Sequence, residues 1–87
     1  MKHYFPEATF TADGGLAYKK AGEILPDQIF INYADKPSHG RQTAAAILQR
    51  KSTASIPIYF VDGSAEENEK ALHLGHCISK EEISKYQ

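Results

Sequence analysis

The sequence has no tryptophan, one methionine and one cysteine among its 87 residues. A single thiol, Cys77, cannot form an internal disulfide, so no disulfide framework staples this fold. No secretory leader pattern is read at the N-terminus, and the cytoplasm is the expected compartment. Neither sign of charge dominates: 10 basic and 11 acidic residues leave a formal charge of -1. That balance supplies no basic footprint, so nucleic acid and anionic membranes are not expected as partners. Long hydrophobic runs are missing too. The longest, such as Ile56 to Val61, fall far short of the roughly 20 residues a membrane helix needs. Internal repeats, low-complexity stretches and linkers are absent, so residues 1–87 read as one domain.

A hydrophobic fraction of 41% is present, which suits a globular chain and opposes wholesale disorder. A chain of this size buries only roughly 60% of its unfolded surface. Packing alone must hold it together.

Strands and helices alternate in the pattern. Ala8 to Ala12 is short, β-branched and aromatic, and stops at Asp13-Gly14-Gly15, which predicts a strand and a turn. Leu16, Ala17, Lys20, Ala21 and Ile24 recur at helical spacing until Pro26. Gly22 weakens that helix by about 1 kcal/mol relative to alanine. Gln28 to Tyr33 is a nearly continuous apolar run, as in a strand buried on both faces. Pro37 to Gly40 is read as a loop, with Ser38 capping a helix over Arg41 to Arg50. Ile56 to Val61 predicts a second buried strand. Ser64 with Glu67 forms a capping-box pattern, and the helix it opens is expected to run to Gly75 as C-cap. His76-Cys77-Ile78 reads as a short last strand. Ser79 with Glu82 opens a terminal helix containing Ile83 and Tyr86. The expected fold class is therefore α/β, with a small parallel sheet of about four strands and flanking helices.

Several pieces resemble one family. Pro26-Asp27 opens the central strand, Asn32 ends it, Gly40 follows eight residues later, and Ile56-Pro57 begins the next strand. In this order and spacing the chain from Ala8 onward resembles the receiver domains of bacterial response regulators. The resemblance implies a flavodoxin-like, receiver-like sheet, with three helices on one face and the first and last helices on the other. It also implies where phosphoryl chemistry would sit, and here the chain departs from the family. Asn32 stands where the family has its phosphorylated aspartate, and an amide is a poor nucleophile. Only Glu7 is acidic before Ala8, so the family's first strand, first helix and Mg²⁺-holding acidic pair are expected to be missing. Asp62 occupies the hydroxyl position. Lys80 falls near the family's lysine, with Glu81 in place of the usual proline. The implied protein is a non-catalytic, receiver-like module for protein–protein interaction with a regulatory role, and not an enzyme.

A rival reading uses the same edge of the sheet. Loops at the carboxyl ends of parallel strands are where α/β folds bind ligands. Asn32, Asp35, Ser38, His39, Gly40, Arg41 and Asp62 are the candidate residues for a small ligand, an anion or an enzyme active site. Ser38, His39 and Asp35 are too close in sequence to be read as a triad, which is defined by geometry. His73, His76 and Cys77 have types zinc accepts, but a structural site needs four ligands and no second cluster accompanies them. Gly14-Gly15 lacks the further glycine and distant acid of a dinucleotide fingerprint. Tyr4, Phe5, Phe10, Tyr59 and Phe60 have no basic groove beside them, so they read as core or interface. No cofactor and no metal are expected. The expected partner is another protein or a second copy. A homodimer would cover a sheet face left bare by the missing first helix, or exchange N-terminal residues including Tyr4 and Phe5.

Overall fold

A computed structural model describes residues 14–34 and 36–86. The elements are α1 (Gly14–Ile24), β1 (Ile29–Asn32), α2 (Pro37–Gln49), β2 (Ile58–Val61), α3 (Ala65–Ala71), β3 (His76–Ile78) and a 3₁₀ helix (Lys80–Tyr86). The three strands are parallel and lie in the order β1-β2-β3. The class is mixed α/β with a small open parallel sheet, as the alternation of elements predicts. The sheet has three described strands rather than four; the strand expected over Ala8 to Ala12 lies outside the described residues, as do Tyr4, Phe5 and Phe10. No helix among the described residues is long and apolar enough to cross a membrane.

The layers follow from strand periodicity. β2 reads Ile-Tyr-Phe-Val and is buried at every position, because alternate residues enter two different cores. Ile58 and Phe60 join Ile29, Ile31 and Cys77 on the face packed by α1, α2 and α3, through Tyr18, Ala21, Ala44, Ile47 and Ala71. Successive parallel strands advance one way across the sheet. Right-handed crossovers then put α2 and α3 on one face. The opposite face carries Phe30, Tyr59, Val61 and Ile78, and Ile83 of the 3₁₀ helix packs there fully buried. Phe30, Tyr59 and His76 stack across the three strands on this face, with centroids 5.0 and 5.2 Å apart. The face is not bare: Tyr59 is only 8% exposed, and Val61 and Ile78 are buried. Contrary to the expectation of a bare second face, Ile83 of the 3₁₀ helix covers it.

The helices differ from expectation in where α2 starts, where α3 stops and in the type of the last one. α2 starts at Pro37 rather than Arg41, because proline at the first helical position already has a helical φ and needs no N–H partner. Lys36 is its N-cap and makes no side-chain cap bond, so Ser38 sits inside the first turn instead of capping it. α3 stops at Ala71, short of Gly75, and Gly75 is not left-handed. Glycine is required there by a close approach: an ideal Cβ would lie 2.4 Å from the Ile58 carbonyl oxygen. The terminal helix is 3₁₀ rather than α.

Both capping patterns form, each by half. The Ser64 hydroxyl accepts from Glu67 N–H at 3.2 Å, while Ser79 N–H donates to the Glu82 carboxylate at 2.9 Å. Thr53, in the polar connection before β2, is fully buried, and its hydroxyl donates to the Ile47 carbonyl at 2.6 Å.

Candidate functional site at the carboxyl edge of the sheet

Parallel strands deliver their loops to one edge, here beyond Asn32, Val61 and Ile78. Tyr33 follows β1 directly. Its N–H donates to the Val61 carbonyl at 3.0 Å, and its fully buried ring packs 4.8 Å from Phe60. Its hydroxyl donates to the Glu67 carbonyl at 2.7 Å and accepts from Arg41 Nη1 at 2.8 Å. Arg41 also pairs with the Glu67 carboxylate, which Lys70 approaches at 3.4 Å from the next turn of α3. The Arg41 hydrogen bond holds the Glu67 carboxyl below the usual range. The hydrogen bonds that Arg41 donates to Tyr33 and Glu67 raise its own pKa in turn. α2 and α3 are joined here through the Tyr33 phenol and through the Arg41–Glu67 pair.

A second contact lies beside it. Asp62 adopts φ 61° and its N–H donates to the Ile78 carbonyl at 3.0 Å. One carboxylate oxygen accepts from Lys80 N–H at 2.8 Å; the other lies 3.8 Å from Lys80 Nζ. The left-handed turn after β2 thus caps the start of the 3₁₀ helix after β3.

The sequence-selected residues are therefore not one constellation. Asn32 is exposed and its side-chain oxygen accepts from Ala34 N–H at 3.3 Å. Ser38 and His39 are exposed on the first turn of α2, and Gly40 is buried against Ile31 and Tyr33. Arg41 is turned back onto Tyr33 and Glu67. Asp35 lies outside the described residues. The structure brings Asp62 and Lys80 together, and it adds Tyr33 and Glu67, which the sequence reading placed in a strand and a capping box. Nothing in the spacing of residues 33, 41 and 67 signals their meeting.

Among the described residues no group of three or more His, Cys, Asp or Glu side chains is placed to hold a metal. The strand period explains why His76 and Cys77 part company. His76 stacks on Tyr59 on one face, while the Cys77 thiol, pushed up in pKa by burial, donates to the Asn68 carbonyl at 3.6 Å on the other. Two open clefts border β3. One of about 450 Å³ is lined by Asp62, Gly63, Asn68 and Ser79 among others; the Asn68 side-chain oxygen is buried without a hydrogen-bond partner. The other, about 590 Å³, runs from Leu72 and His73 to Ile78 and Glu82.

No family model, curated protein or solved structure matches the chain.

Proposed function

We propose that this chain is a non-catalytic, receiver-like interaction module of the cytoplasm, with a regulatory role exerted through contact with another protein or a second copy. The observation that carries the reading is the state of the carboxyl edge. Among the described residues its charged groups answer one another, Arg41 with Glu67 and Asp62 with Lys80, instead of converging on a common point. Substrate chemistry needs groups poised toward a reacting atom; these are held as struts between elements. The receiver-like layout is supported by three helices on one sheet face with the terminal helix on the other. Lys80 beside Asp62 supports its correspondence to the family's lysine. Asn32 at the end of β1 leaves the acceptor position without a carboxylate.

Incubation with acetyl phosphate and Mg²⁺ tests this, with intact mass as readout. The expected result is no change. A Mg²⁺-dependent gain of one phosphoryl group mapped to Asp35 or Asp62 would overturn the non-catalytic reading.

One observation favours a second reading, a small-ligand site. Asn68, whose side-chain oxygen is buried and unpartnered, lines the cleft with Asp62 and Ser79, and a hydrogen-bond donor would satisfy that oxygen. Chemical-shift mapping with small primary amines and amides tests that; shifts confined to Asp62, Gly63, Asn68 and Ser79 would establish it.

A further inference from the structure

β3 is the outermost described strand on its side of the sheet. In a parallel ladder the N–H and C=O of one residue address one neighbour, and those of the next residue point the other way. The Ile78 carbonyl accepts from Asp62 N–H, so Ile78, and His76 two residues earlier, address β2. Cys77 therefore turns both backbone groups outward. Gly75 and Ser79 face outward as well, but their N–H groups are committed within the chain, Gly75 to the Ala71 carbonyl and Ser79 to the Glu82 carboxylate. Among the described residues, Cys77 alone offers this edge a donor and an acceptor together.

We propose that this edge pairs with the same edge of a second copy, antiparallel, about a two-fold axis at Cys77, joining two sheets into one. The inference rests on the interaction-module reading and names its partner and surface.

The edge is self-complementary. Across such an axis each Cys77 N–H donates to the other copy's Cys77 carbonyl, closing the paired ring of an antiparallel ladder. Register is fixed because the neighbouring outward N–H groups are already engaged. The groove beside the edge has unlike ends: Leu72 and His73 at one, Ile78 and Glu82 at the other. An antiparallel partner sets each imidazole end against a carboxylate end, and covers Leu72, which is 68% exposed. Proteins blunt open edges with proline, lysine or a bulge. The stretch His73-Leu74-Gly75-His76-Cys77-Ile78-Ser79 holds no proline, lysine or arginine. Its one restraint is length, since β3 has three residues. The pairing is accordingly weak and driven by concentration.

Sedimentation equilibrium and amide hydrogen exchange on the full chain test it together, at two concentrations about a hundredfold apart. The expected result is a rise in mass toward the dimer, with exchange of the Cys77 amide slowed about tenfold in step. Leu72→Glu sets a second carboxylate against Glu82; it should keep the thermal midpoint and lose the dimer. A monomer mass throughout overturns the proposal. So does a dimer whose Cys77 amide exchanges unchanged, an outcome that leaves the module reading standing. Phosphoryl gain from acetyl phosphate strikes that reading alone.

Discussion

Arg50 lies over the ring of Tyr18, its guanidinium carbon 3.6 Å from the centroid, and Nη1 donates to the Tyr18 carbonyl at 2.9 Å. The C-cap of α2 is thereby tied to the middle of α1. The arrangement needs Gly22, where an ideal Cβ would lie 1.9 Å from Arg50 Nη1. Gly22→Ala gains about 1 kcal/mol of helix propensity and displaces a stack worth about 0.5–1 kcal/mol. The two effects should nearly cancel in the natural chain. In an Arg50→Ala background, Gly22→Ala should stabilise by about 1 kcal/mol. Urea unfolding of the four chains measures the coupling; equal effects in both backgrounds would show that Arg50 is not what the glycine accommodates.

Gly75 should tolerate no side chain. The atom a Cβ would strike is the Ile58 carbonyl oxygen, part of the β2 backbone, which cannot swing aside as Arg50 can. Gly75→Ala should cost about 1–3 kcal/mol. An unchanged denaturation midpoint would mean that β3 shifts freely against β2.

Among the described residues, two hold left-handed backbone without being glycine, Leu25 at φ 51° and Asp62 at φ 61°. Leu25 is 53% exposed, so its side chain gives little in return for that conformation. Leu25→Gly removes a left-handed cost of roughly 1–2 kcal/mol and adds unfolded-chain entropy of about 0.5–1 kcal/mol. A net gain up to about 1.5 kcal/mol is expected. Asp62→Gly should bring no such gain, since it removes the carboxylate that caps Lys80 N–H. Thermal melts of both variants separate the cases, and a stabilised Asp62→Gly would show the cap to be idle.

How far the sequence could be read depended on range. Strands β2 and β3 and the opening of α3 were legible, because apolar runs and Ser-x-x-Glu patterns act within a few residues. Pro37 suits a loop as well as a first helical position, and α2 uses it as the latter. Gly75 was read through its turn chemistry, yet its need comes from Ile58, distant in sequence. The edge network was invisible for the same reason: Tyr33, Arg41 and Glu67 meet only once α2 and α3 have packed on one face. Asp62 and Lys80 meet because β2 and β3 are neighbours, which sets the carboxyl ends of these strands side by side.

Acid should weaken the fold through two carboxyl groups. The Arg41 hydrogen bond holds Glu67 below its ordinary value of 4.5, and the Ser79 backbone hydrogen bond does the same for Glu82. As pH falls, the unfolded chain takes up these protons first. The stabilisation is therefore complete above the unfolded value and is lost as pH drops through the lower folded values. Glu67→Gln and Glu82→Gln should each flatten the fall in thermal midpoint between pH 7 and pH 3. Added salt should blunt the Glu67 contribution more, because its partner is a cation. A pH profile identical to that of the natural chain would remove the assignment.

Because the strands lie across the sheet in the same order as along the chain, each ladder closes a single strand–helix–strand loop, an entropic cost that rises slowly with length. Either ladder can form first, but both require β2. Among the described strands, β2 is therefore the one that both ladders share. Changes at Phe60 should slow folding itself, whereas changes on the outer side of α1 should act mainly on the rate of unfolding.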